Sequence, residues 1–160
     1  MKPEEVLMIR LRKEVEAEWA GLERLHTEHA GVPMGSADGY MLRARASILH
    51  DYYGGIERIF ARIAQELNGG VPTSEHWHRD LLLDMTLELE SIRPAIITRE
   101  LHDLLVPFLG FRHLFRNVYG FVMDGERLDR LDARFDEVFL RLRVELRRFL
   151  DWLVPPGSGA

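Results

Sequence analysis

The stretch Leu49–Leu67, LHDYYGGIERIFARIAQEL, carries apolar residues at Leu49, Tyr52 or Tyr53, Ile56, Ile59 or Phe60, Ile63 and Leu67. Steps of three and four residues are the period of one face of an α-helix, and nothing in the run alternates as a strand would. The predicted helix extends from about Tyr40 to Leu67, where NGGVPTSE, Asn68–Glu75, breaks the chain. Gly54–Gly55 lies in its middle at a cost of roughly 1 kcal/mol per glycine relative to alanine. Such a pair marks a place where another helix or a ligand comes close.

The same period recurs on both sides. Upstream, about Pro3 to His29 reads as a helix with Leu7, Leu11, Val15, Trp19 and Leu22 on one face. AGVPMGSADG, Ala30–Gly39, ends it, and Ser36 or Asp38 can cap the next helix. Downstream, Thr73 or Ser74 can cap a shorter third helix reaching about Glu90, closed by Arg93–Pro94. Thr98, with Glu100 close behind, opens a fourth helix. A break at about Met123–Glu126 precedes a fifth, from about Arg127 to Leu153, with Leu128, Leu131, Phe135, Val138, Leu142, Leu146 and Phe149 along it. No internal repeat appears. The expectation is an all-α fold, an up-and-down bundle of four to five helices, in a single domain over residues 1–153 followed by a flexible tail over 154–160.

Composition bounds the partners. The 160 residues are 46% hydrophobic and 29% charged, suited to a soluble globular domain with a real core. A net charge of −5 argues against a general polyanion binder. Without cysteine there are no disulfides and no thiolate metal sites, and a cytoplasmic location is expected. The N-terminal run MKPEEVLMIRLRKEVEAEW is not a signal peptide, and no window has the length of a membrane span. Of the 21 basic residues only Lys2 and Lys13 are lysines, leaving 19 arginines. Arginine grips phosphate and carboxylate in a planar fork, although codon composition alone also produces such a skew.

The fourth helix ends in GFRHLFRNVYGFVMD, Gly110–Asp124. At 3.6 residues per turn, Leu104, Phe108, Phe111, Phe115, Val118 and Val122 form its core stripe. Arg112, Arg116 and Tyr119 cluster on one border, an arrangement that faces anions or pairs with neighbouring carboxylates. His113 and Asn117 lie side by side on the far face, and Pro107 is expected to bend the helix one turn earlier.

These residues resemble the RX4-6H motif of HEPN-domain proteins, and more closely the RX4HXY form of HepT-like toxins. Arg112 takes the arginine position, HLFR fills the gap, Asn117 stands at the histidine position and Tyr119 at the tyrosine position. The resemblance also takes in Leu49–Pro72 with its GIERIF block, EHWHRDLL at Glu75–Leu82, and FVMDGERL at Phe121–Leu128, covering about residues 45–153. It implies a metal-independent endoribonuclease without a cofactor, leaving a 2′,3′-cyclic phosphate and a free 5′-hydroxyl. It implies further a homodimer with facing motifs, and an MntA-like nucleotidyltransferase antitoxin that silences the toxin by transferring AMP to the motif tyrosine. AMP on Tyr119 would bring charge and bulk over Arg112 and Arg116.

The departure is Asn117. Imidazole accepts and returns a proton near neutral pH, whereas an amide only donates and accepts hydrogen bonds. Phosphate binding by Arg112 and Arg116, positioning by Asn117 and modification at Tyr119 survive the change, and His113 is the substitute proton shuttle. Glu57, in GIERIF, is the candidate for orienting the arginines; alternatively it is an exposed partner of Arg58 or Arg62. Two other readings stand beside the ribonuclease: an inactive HEPN-like helical binding module paired with a nucleotidyltransferase, and a metal-dependent hydrolase built on His26, His50 and His102. The sequence lacks HExxH, a Gly-rich phosphate loop and GxSxG.

Overall fold

A computed structural model describes residues 1–33, 38–117 and 125–158, apart from the side chains of Arg116 and Asn117. Five helices lie within them: α1 (Pro3–Ala30), α2 (Gly39–Leu67), α3 (Trp77–Asp84), α4 (Arg99–Asn117) and α5 (Gly125–Leu153). No strand is present among the described residues, only an isolated bridge between Leu89 and Arg93. The all-α expectation holds. α2 is the centre of the bundle and packs against each of the other four helices. Its face of Leu49, Tyr52, Tyr53, Ile56, Ile59, Phe60 and Ile63 is buried, which is why its periodicity was so clear.

Gly55 sits where α1 crosses: a Cβ there would lie 2.5 Å from Leu22 Cδ2. Asp38 caps α2 by accepting a hydrogen bond from Tyr40 N at 2.8 Å, while Ser36, the other candidate, lies outside the described residues. Thr98 caps α4 by accepting from Leu101 N at 3.2 Å. Glu145 on α5 in turn accepts from the Thr98 backbone N–H and, at 3.2 Å, from its hydroxyl. At the C-terminal end of α5, Arg12 on α1 donates to the carbonyls of Leu150 at 2.9 Å and Val154 at 2.7 Å, placing a cation where the helix dipole is negative.

Two expectations need correction. The third helix ends at Asp84 and not near Glu90. After Leu83 the backbone tightens into three-residue turns, and the Met85 carbonyl accepts from Ile96 and Ile97 N–H, committing it to the chain that follows. Arg93, 3% exposed, holds this connection by donating to Asn68 Oδ1 and to the carbonyls of Asp84, Leu87 and Pro94. The buried face of α4 is also broader than the narrow stripe: Leu101, Leu105 and Leu109 are buried with Phe108 and Phe111, whereas Leu104 and Phe115 are only partly covered. Neighbours on two sides of α4, α2 and α5, account for the wider face. Val118 and Val122 lie outside the described residues, and Pro107 sits within the helix.

Between α1, α2 and α5 lies a buried polar group. Asp132 accepts from His29 Nε2 at 2.5 Å and from Arg45 Nη1, which also reaches Asp129 at 3.1 Å. Buried charges persist only when paired in this way.

Candidate active site

Three helices converge on one carboxylate. Glu57 of α2, 6% exposed, has Oε1 at 3.6 Å from Arg112 Nη1 of α4 and Oε2 at 2.7 Å from His78 Nδ1 of α3. Glu57 is therefore not the exposed partner of its helical neighbours: Arg58 pairs with Glu18, and Arg62 with Glu14 and Glu66. The Arg112 side chain is 14% exposed, and its Nε has no hydrogen-bond partner among the described residues. Gly54 faces it as well, a Cβ there lying in ordinary contact, 3.8 Å from Arg112 Nε. Of the glycine pair, Gly55 therefore serves a close approach, that of α1, whereas Gly54 does not require one.

One turn before Glu57, the Tyr53 phenol is 1% exposed. Burial pushes its pKa far above the ordinary phenol range, the Glu57 charge adds to this, and Arg112 opposes it. The Tyr53 phenol is therefore uncharged at neutral pH beside the ion pair.

Arg112 opens onto a cleft of ≈ 650 Å³ between α3 and α4, with Arg79 and Arg99 also on its wall. His76, His78, His102 and His113 line the same cleft, against the two carboxylates Glu75 and Asp80. Three guanidinium groups and four imidazoles suit an anionic ligand, with Leu82, Val106 and Leu109 supplying apolar surface.

Of the residues singled out by sequence, Arg112, His113 and Glu57 fall at or behind this cleft. The side chains of Arg116 and Asn117, and Tyr119 altogether, lie outside the described residues. The three histidines weighed for metal are engaged separately: His26 with Asp136 at 2.7 Å, His50 with Asp51 at 3.1 Å, and His102 with Asp103 at 2.8 Å. No group of three or more histidines and carboxylates able to hold a metal ion occurs among the described residues. No helix among them is long and apolar enough to cross a membrane. His78 carries no signal of its own in the sequence, where it is one residue of the EHWHRDLL block.

No curated protein and no solved structure gave a match to this chain. A family model described as HepT-like protein matches residues 44–153, from within α2 to the end of α5 and including all three helices that meet at Glu57. With more than half of its length matched, the chain belongs to the HepT-like family, the HEPN-type toxin group.

Proposed function

We propose that this protein is the toxin of a toxin–antitoxin pair, a metal-independent endoribonuclease acting through the cleft beside Arg112. The observation that carries the reading is the Arg112 guanidinium: held at its inner side by the buried carboxylate of Glu57, it opens at the wall of a cleft rich in arginine and histidine. Arg112 and Arg116 bind the scissile phosphate, Asn117 positions it by hydrogen bonds, and His113 stands at the same cleft as a further polar contact. The family membership supports a motif facing its copy in a homodimer. It also supports an MntA-like nucleotidyltransferase partner that transfers AMP to Tyr119 and so fills the anion groove.

Incubating the purified protein with RNA tests this directly. Cleavage leaving 2′,3′-cyclic phosphate ends, abolished in Arg112→Ala, is the expected result. Incubation with the nucleotidyltransferase and ATP should add one AMP to the intact mass, and Tyr119→Phe should remove that gain. RNA left uncut by the wild-type dimer overturns the nuclease reading. Asn117 favours a second reading, a binding module that keeps the groove without the chemistry; there, Asn117→His creates cleavage in an otherwise inert protein.

A further inference from the structure

Cleavage through a ribose 2′-hydroxyl needs a group that takes up a proton close to the arginine binding the phosphate. Asn117, at the motif position, has no such capacity. Four imidazoles line the Arg112 cleft, and they are held in different ways. His76 and His113 are exposed, and His102 bonds its own neighbour Asp103, whose side chain is 67% exposed. His78 is tied to a buried carboxylate on another helix, Glu57, at 2.7 Å. Its ring also stacks on Trp77, with centroids 3.6 Å apart and 29° between planes.

The geometry points to His78 as the proton carrier of this site, an assignment resting on the ribonuclease reading above. Glu57 holds Arg112 through one oxygen and His78 through the other, so a single buried carboxylate sets the phosphate-binding and proton-accepting groups side by side. With Nδ1–H donating to Glu57, Nε2 carries the ring's lone pair and makes no other hydrogen bond among the described residues. The carboxylate behind the ring fixes its tautomer and orientation, as in other carboxylate–histidine pairs. His78 Nε2 takes the proton of the 2′-hydroxyl as that oxygen bonds to the adjacent phosphorus. The bond from phosphorus to the 5′-oxygen breaks, the leaving oxygen takes a proton from water, and the imidazolium returns its own to solvent. Arg112 carries the charge gathering on the phosphoryl oxygens.

The test compares RNA cleavage by wild type, His78→Ala and His78→Gln, each with and without free imidazole, folding being followed by circular dichroism. Both variants should lose on the order of 100-fold or more in rate. Imidazole should restore much of the loss in His78→Ala, where it enters the vacated space, and little in His78→Gln, where the amide fills it. A purely structural histidine predicts no such rescue. Cleavage by His78→Gln within a few-fold of wild type overturns the assignment and leaves the ribonuclease reading standing. A folded, inactive His78→Ala that imidazole fails to restore also overturns it. An inert wild type overturns both.

Discussion

Adding one methyl group at Gly55 should destabilise the protein, while the same group one residue earlier should stabilise it. At Gly55 the new Cβ would lie 2.5 Å from Leu22 Cδ2 and 3.5 Å from Leu22 Cγ. Carbon atoms rest about 3.5–4.0 Å apart, so leucine or helix has to move by about 1 Å. Leu22 is 1% exposed and has no open space to swing into. Overpacking of this kind costs about 1–3 kcal/mol, against a gain of about 1 kcal/mol from replacing glycine in a helix. The net is a loss of about 0–2 kcal/mol. At Gly54 the nearest atoms are Arg58 Nη1 at 3.7 Å and Arg112 Nε at 3.8 Å, ordinary contacts, so the helical gain is kept. The two variants should differ by about 1–3 kcal/mol, and each kcal/mol moves Tm by about 2–4 °C in a chain of this size. Thermal melts followed by far-ultraviolet circular dichroism read the difference. A Gly55→Ala protein as stable as Gly54→Ala would refute the close packing of α1 on α2. A double-mutant cycle with Leu22→Ala sharpens the comparison, because removing the leucine should cost less once alanine is at 55.

Asp132→Ala removes the buried carboxylate that pairs with both Arg45 and His29; the expected loss is about 3 kcal/mol, or about 1–3 M in urea midpoint. Burial, with a smaller push from Asp80, raises the Asp84 carboxyl pKa while Arg93 pulls it back. A carboxyl whose pKa rises on folding costs stability above its folded value and nothing below its unfolded one. Asp84→Asn should therefore stabilise the protein at about pH 7 and lose that advantage as pH falls through the carboxylate range, as paired thermal melts will show.

Most of the helical framework is legible in the sequence because long amphipathic helices write their burial into a regular period. Leu49 to Ile63 and Leu128 to Phe149 do this over many turns, and their bounds follow within a residue or two. α3 is different. Its stop is made by Arg93, nine residues beyond Asp84, and by Ile96 and Ile97 bonding to the Met85 carbonyl, none of which leaves a local pattern. The candidate site divides in the same manner. Arg112 and Glu57 are visible as members of motif-like blocks, whereas His78 acquires meaning only when α3 is laid against α2. The Asp132 network is equally silent in one dimension, since Asp132 reads as an ordinary polar position on the border of a strongly amphipathic helix.

The helix ends described above have a consequence for how the chain comes apart. Glu145 of α5 closes the start of α4, and Arg12 of α1 closes the end of α5. Both of these termini draw on a segment distant in sequence, so neither α4 nor α5 is a self-contained module. The stretch that matches the family, residues 44–153, omits α1 and with it the donor to the Leu150 and Val154 carbonyls. Trimmed to that stretch, the chain should fray from its C-terminal end inward, because the last carbonyls of α5 lose the cation that α1 supplies.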